Sequence, residues 1–403
     1  MALLDLEIEK LVYGGAGLAR SEGRVVLTPY ALPGERLRAK VVHEGAGVLR
    51  ARAQTWQTRS PDRIEPDCPL FSNCGGCHYQ HIDYASQLAY KRDILRESLA
   101  RIGKIEYRGE IETIAGEPWG YRNRTQLRLA PRGGRPEVGF FAAGSKRLVA
   151  AETCPINSPT LNRVHRSLIE MAGDKRFPGF LHEIELFTNE TDVQLNVLGS
   201  DRPPAKKFFE WCEREIEGLA PGAFIDYPSG EGMLRVGSRS FFQVNRFLTE
   251  RLAEAALGEA RGGTALDLYA GVGLMTLPLG RRFERTLGVD SSGAAVRSLQ
   301  FNAERARVDV RVVHSNVDKF LQDFDDQADF VVADPPRAGL GSTVTAELVR
   351  IAAPRLALVS CDPATLARDL AALTAGGYQI ESMTMIDLFP QTYHIETVVQ
   401  LGR

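Results

Sequence analysis

From residue 237 onward the chain repeats one pattern: a short apolar run, a turn, then a helical stretch. The runs are "TALDLYAG", "RTLGVDSS", "VRVVHSN", "ADFVVADPP" and "LALVSCDP". Strands that alternate with helices are joined by crossovers, so they lie parallel, with helices covering both faces of the sheet. The end of the chain breaks this pattern. "YQIESMTMIDLF" and "YHIETVVQLGR" are two strands joined by a short loop around Pro390. A short loop cannot cross over, so the last strand is expected to run antiparallel. The fold class is α/β.

The preceding residues read differently. Residues 1–55 are short strands of near-alternating apolarity, punctuated by Gly14, Gly15, Gly17, Gly23, Pro33 and Gly34. That spacing predicts a small β-barrel. Residues 60–82 are rich in Pro and Cys, and residues 83–102 have the apolar spacing of a helix. Residues 110–235 mix strands and helices. The division expected is 1–58 (β-barrel), 59–100 (cysteine-rich segment and helix), 101–236 (central α+β domain) and 237–403 (α/β domain). Nothing in the sequence approaches an 18-residue apolar run, and the acidic start "MALLDLEIEK" does not resemble a leader. Six cysteines in 403 residues are too few for a disulfide scaffold, which points to a reduced, cytoplasmic setting. The net charge is −2, yet residues 119–149 hold Arg122, Arg124, Arg128, Arg132, Arg135, Lys146 and Arg147 against Glu137 alone. A local basic stretch of this kind suits a polyanion.

Chemistry concentrates at the strand exits. "DLYAGVG" places Gly271 and Gly273 in a tight turn under a prospective ligand, with Thr276 where a dinucleotide fingerprint needs a third glycine. Asp290 ends the next strand, 19 residues beyond Gly271, where an acid can take both hydroxyls of a ribose. Gln243, in "FFQVN", is placed to reach the same ligand. Asp334 ends the fourth strand in "DPPRAGL", and Cys361 ends the fifth in "SCDPATLARDL". Asp362-Pro363 is a helix-start signature, so Cys361 is expected beside a helix N-terminus that favours a thiolate. Glu396 opens the apolar run "ETVVQL", where burial raises a carboxyl pKa and suits it to proton transfer.

In this order "FFQVN", "DLYAGVG", "DPPRAGL", "SCDPATLARDL" and "HIETVVQL" resemble the RNA 5-methyluridine methyltransferase family, and the resemblance runs through the whole chain. It implies a Rossmann-like S-adenosylmethionine methyltransferase domain at the C-terminus and an N-terminal OB-like TRAM barrel that holds RNA. It implies that Gln243, Tyr269, Gly271, Gly273, Asp290 and Asp334 contact S-adenosylmethionine, with Asn316 of "HSNVD" a further candidate. Cys361 is then the nucleophile that adds to carbon-6 of uracil, and Glu396 the base that removes the carbon-5 proton. Some relatives have an Asn after the second glycine, where this chain has Leu274. Methyltransferases that act on exocyclic amines have an aromatic residue after Asp/Asn-Pro-Pro, where this chain has Arg337.

Cys68, Cys74 and Cys77 are spaced C-x5-C-x2-C, and Cys154 could supply a fourth thiolate. Their chemistry admits zinc or an iron–sulfur cluster; the resemblance implies a [4Fe–4S] cluster. Cys212 reads as core packing. In "WGYRNRTQLRL" Trp119 and Tyr121 stand beside Arg122, Arg124 and Arg128; aromatics can stack splayed bases while arginines take phosphates. Within the family, a barrel together with cluster cysteines fits enzymes of 23S ribosomal RNA; a tRNA substrate is the alternative. An amine methyltransferase and a non-catalytic, zinc-containing RNA-binding protein are the competing classes. A cytoplasmic monomer with RNA as its partner and no membrane association is expected.

Overall fold

The computed structural model describes residues 2–132, 135–220, 222, 224–230, 232–238 and 240–403; the side chains of Arg132 and Arg135 lie outside what it describes. The chain forms two compact units. The first is Met1–Glu97, Phe140–Val149 and Phe389–His394; the second is Ser98–Gly139, Ala150–Leu388 and Ile395–Arg403. The first thus joins the N-terminal strands to the cysteine-rich segment, and the second joins the central and C-terminal segments.

In the first unit a six-stranded sheet has the spatial order Leu3–Glu7, Arg36–Glu44, Val48–Thr58, Arg24–Pro29, Ala16–Ser21, Lys10–Val12. Neighbours are antiparallel except Arg24–Pro29 and Val48–Thr58, which pair in parallel. Alternation fixes the register. Leu37, Ala39 and Val41 point inward while Arg36, Arg38 and Lys40 point to solvent. Leu6, Ile8, Val26, Leu37 and Leu49 share one core. Each such aliphatic contributes about 1.5–3 kcal/mol by leaving water. Gly17 is required by close approach, because a Cβ there would stand 2.6 Å from the Ala31 carbonyl oxygen. The helix Tyr84–Arg101 matches the periodic stretch 83–102. Its Gln87 donates to the Tyr79 and Ile82 carbonyls and to Gln391 Oε1, which ties the segment Phe389–His394 into this unit.

The second unit is built on an eight-stranded sheet. Its spatial order is Arg311–His314, Phe283–Asp290, Gly262–Leu268, Phe330–Ala333, Arg355–Ser360, Glu396–Gly402, Gln379–Ile386, Ile111–Ile114. The first five run parallel. Glu396–Gly402 runs antiparallel to both its neighbours, as the missing crossover requires. The edge strand Ile111–Ile114 comes from far upstream and pairs in parallel with Gln379–Ile386. A four-residue strand with one buried position, Ile111, carries too little pattern to be assigned to this sheet from sequence. A second sheet contains the antiparallel strands Arg135–Phe141, Arg124–Arg132, Leu181–Thr188 and Val193–Ser200. Among the described residues no helix is long and apolar enough to cross a membrane.

Candidate active site

In parallel strands the C-terminal ends share one edge of the sheet, and an antiparallel strand inserted among them begins at that edge. This topology brings the predicted residues together. Asp290 ends Phe283–Asp290, Asp334 follows Phe330–Ala333, and Cys361 follows Arg355–Ser360. Glu396 is the first residue of the antiparallel strand. The register carries this further. Ser360 pairs with Thr397, so continuing one step along each strand sets Cys361 opposite Glu396. Directly opposed Cβ atoms in such a pair are about 4.5–5.5 Å apart.

The glycine turn follows Gly262–Leu268. Tyr269 has φ 66°, a left-handed value that a non-glycine residue adopts only where its surroundings enforce it. Gly271 has φ 57° and Gly273 φ 101°. A Cβ on Gly273 would meet Leu299 Cδ1 at 2.6 Å, so this glycine lets the following helices pack close. Asp290 holds the turn: its carboxylate accepts the Gly271 N–H at 2.9 Å and the Ser292 N–H at 2.7 Å. Gln243 donates to Asp334 Oδ2 at 3.2 Å. Its own backbone carbonyl accepts from the buried Asn123 amide at 3.0 Å. A narrow cavity of about 40 Å³ is lined by Gln243, Tyr269, Gly271 and Asp334, and also by Leu274 and Asp267.

Asp267 was not among the residues expected. It is 2% exposed, accepts from Thr276 Oγ1 at 2.5 Å, and its carboxyl is pushed up to about 7 by burial, the Thr276 bond opposing and the charges of Asp334 and Asp290 adding. The signal in the sequence was an acid inside the apolar run "TALDLY". Burial likewise raises the carboxyls of Asp334 and Glu396, and Glu396 is raised further by the charge of Asp334 while Arg337 acts against the shift. Asp267 and Asp334 line the cavity and, among the described residues, no Lys or Arg does, so it suits a positively charged ligand such as a sulfonium.

Two expectations change. The Cys361 thiol is pushed up to about 12, first by burial and then by the charge of Glu396, with Arg337 opposing. It does not gain a thiolate from the helix Pro363–Ala375, because Asp362 Oδ1 already accepts the Ala364 and Thr365 N–H groups. The arginines of "WGYRNRTQLRL" are also not free to take phosphates. Arg124 is mostly buried, 3.5 Å from Glu185, and Arg128 pairs with Glu183. Tyr121 is fully buried. Asn316 stands exposed at the head of the helix Val317–Gln322 and does not line the cavity. Asn245, beside Gln243, is structural: it donates to the Leu388 carbonyl and accepts the Phe247 N–H.

None of the six cysteines is in a disulfide. Cys68, Cys74 and Cys77 lie between the strands and helix of the first unit, Cys74 bridging to Ala142, and Cys154 lies in the second. The Tyr30 hydroxyl is raised first by burial and then by Cys74 and Cys77. Among the described residues no three Cys, His, Asp or Glu side chains form a closed metal-binding group, so the ligand set is not a preformed cage. Cys212 is fully buried and its thiol is pushed up to about 12 by burial, as a packing residue would be.

A model of the tRNA (uracil-5-)-methyltransferase family matches residues 231–403. An RNA methyltransferase of Halalkalibacterium halodurans is 32% identical over 99% of this chain and 96% of its own length. The 23S rRNA (uracil(1939)-C(5))-methyltransferase RlmD of an Enterobacter species is 32% identical over 98% of this chain and 96% of its own. Among solved structures, the Pyrococcus abyssi tRNA (uracil-54, C5)-methyltransferase in complex with S-adenosyl-L-homocysteine aligns over 99% of this chain and 100% of its own, with a TM-score of 0.75 at 25% identity. The strand-end acids, the glycine turn and these likenesses agree: the chain belongs to the S-adenosylmethionine-dependent RNA (uracil-5-)-methyltransferases.

Proposed function

We propose that this enzyme methylates carbon-5 of one uridine in 23S ribosomal RNA, with Cys361 as nucleophile and Glu396 as base. The observation that carries the roles is the register that sets Cys361 across from Glu396 at the ligand edge of the sheet. Bound S-adenosylmethionine supplies an electrophilic methyl group. Carbon-5 of uracil is a poor nucleophile until a thiolate adds to carbon-6 and makes it an enolate. Cys361, held as a thiol, must release its proton to solvent before it adds, with Glu396 ionised and free to take the later proton; Arg337 is the cation that favours the thiolate. After methyl transfer the carbon-5 proton passes to Glu396, whose raised pKa suits it to accept, and the thiolate leaves. Gln243, Tyr269, Gly271, Gly273, Asp290 and Asp334 form the cofactor site, and Asp267 joins them. The competing reading, methylation of an exocyclic amine, needs no cysteine at this edge.

Ribosomal RNA is favoured by the RlmD relatives, which match nearly end to end. A tRNA substrate is the second reading, supported by the whole-chain likeness to the Pyrococcus tRNA enzyme. Mass mapping of 5-methyluridine in 23S rRNA and tRNA from cells lacking the gene decides between them. One 23S uridine is expected to lose its methyl group while tRNA keeps its own; loss confined to tRNA would reverse the assignment.

The N-terminal sheet is read as the TRAM barrel, and Cys68, Cys74 and Cys77 as ligands of a [4Fe–4S] cluster, a reading that rests on the family resemblance, since the thiolates alone would equally take zinc. Cys154 is the fourth candidate. Anaerobically purified protein is expected to be brown and to contain about four irons per chain. Replacement of Cys68, Cys74 or Cys77 by Ala should lower iron content and thermal stability together. The iron content of Cys154→Ala tests the fourth ligand. A colourless protein with one zinc would reassign the metal.

A further inference from the structure

Glu396 is the first residue of its strand, and the sheet fixes it from one direction only. It pairs with Ile386, while the ladder to Arg355–Ser360 begins one residue later, at Thr397. The end of a strand frays unless the chain beyond it is also held. That chain is the connecting segment Phe389–His394, which packs within the first unit although it joins two strands of the second.

The helix Tyr84–Arg101 holds it. Gln87 and Lys91 are four residues apart, so they share one face of that helix, and both are fully buried. Buried polar side chains need partners, and the connecting segment supplies them. Gln87 donates to Gln391 Oε1 at 3.0 Å and accepts the Gln391 N–H at 3.1 Å. Lys91 Nζ donates to the Phe389 carbonyl at 3.0 Å. The Gln391 carbonyl accepts the N–H groups of His78 and Tyr79, at 2.8 and 3.0 Å. The Tyr393 ring meets those of Tyr13 and His78 edge-on, with centroids 5.4 and 4.5 Å away. Gln391 has φ 65°, a left-handed value that a non-glycine residue keeps only under constraint.

We propose that Gln87 and Lys91 are positioning residues for Glu396: by fixing Gln391 and Phe389 they set where the last strand begins, and so hold the carboxylate within reach of carbon-5. The inference rests on the reading of Glu396 as the base and deepens it. On that reading Glu396 acts in one step alone. Its carboxylate takes the carbon-5 proton, the electron pair of that bond forms the double bond between carbon-5 and carbon-6, and the carbon–sulfur pair leaves with Cys361. Proton transfer needs heavy atoms about 2.6–3.2 Å apart. A misplacement of about 1 Å costs on the order of 100-fold in rate. Loosening the connecting segment therefore slows the elimination and spares addition and methyl transfer, in which Glu396 takes no part. A general loss of stability would instead slow every step alike.

The test uses the full-length protein in excess over total RNA from cells lacking the gene, with radiolabelled methyl donor, quenched over a time course and run on denaturing gels. Gln87→Ala and Lys91→Met should form the methylated protein–RNA adduct at close to the wild-type rate and release it about 10- to 100-fold more slowly. Formation and release slowed by the same factor would mark general destabilisation and overturn the proposal. Release at the wild-type rate would overturn it as well. Should Gln87→Ala fail to fold, Lys91→Met, which keeps the aliphatic stem and removes one donor, carries the comparison. Glu396→Gln runs beside them. If it stalls as adduct while the two variants release normally, only the positioning role falls. If it turns over normally, the reading of Glu396 as the base falls, and the positioning role with it.

Discussion

Glu396→Gln is expected to accumulate a methylated protein–RNA adduct that survives denaturation, and Cys361→Ala to form none. The amide cannot accept the carbon-5 proton, yet addition and methyl transfer precede that step. The variant therefore stalls with the sulfur–carbon bond intact. Without the thiol, carbon-5 is never activated, and methyl transfer should fall by roughly 10⁴-fold or more, the scale on which nucleophile removal acts. A denaturing gel with radiolabelled methyl donor reads both. RNA containing 5-fluorouridine should trap the same adduct on the unmutated enzyme, because fluorine occupies the place of the proton. Normal turnover by Glu396→Gln would assign the base elsewhere. Absence of an adduct on the fluorinated RNA would return Cys361 to a packing role.

The cofactor-free protein should lose stability as pH rises from about 4 to about 7, and Asp267→Asn should remove much of that loss. Asp267 has an ordinary value of 3.8 and sits at about 7 in the fold. Between those values the folded chain holds a proton that the unfolded chain has released, so stability falls with rising pH across the window and levels off above it. The full shift corresponds to on the order of 4 kcal/mol, since one unit is about 1.4 kcal/mol. Urea unfolding at pH 5 and pH 8, wild type against Asp267→Asn, isolates the contribution; equal pH dependence in the two would refute it. The same sign governs the ligand. A sulfonium prefers ionised acids, so affinity for S-adenosylmethionine should rise from pH 5.5 to pH 8, and binding at the lower pH should release protons. Calorimetry in two buffers of different ionisation enthalpy counts them.

The α/β sheet was legible because its strands are continuous apolar runs ending in Gly, Asp or Cys, and topology then forces those ends onto one edge. Cys361, Asp334, Asp290 and Glu396 could be placed by that argument alone. Asp267 escaped it: an acid two residues before the glycine turn reads as strand interior, and only its burial beside Asp334 and Asp290 marks it out. The Cys361 thiol is raised by burial and by the charge of Glu396, neither of which the sequence displays, while Asp362 takes the N–H groups at the start of the following helix. The arginines of residues 122–128 misled because charge in a sequence carries no sign of its partners. Glu183 and Glu185, some sixty residues away, meet Arg128 and Arg124 across neighbouring strands.

The strand Glu396–Gly402 lies between Arg355–Ser360 and Gln379–Ile386, although both precede it in the chain. Order of synthesis and order in space therefore disagree. Until that segment is made, two strands sit ready with open ladders facing a gap, and the segment that fills it is buried at every position but Gln400. Unpaired strand edges are templates for pairing with other chains. A nascent or clipped chain lacking these residues is thus exposed to intermolecular association at the very place where the nucleophile stands. Closing the sheet and completing the Cys361–Glu396 pair are one event in folding.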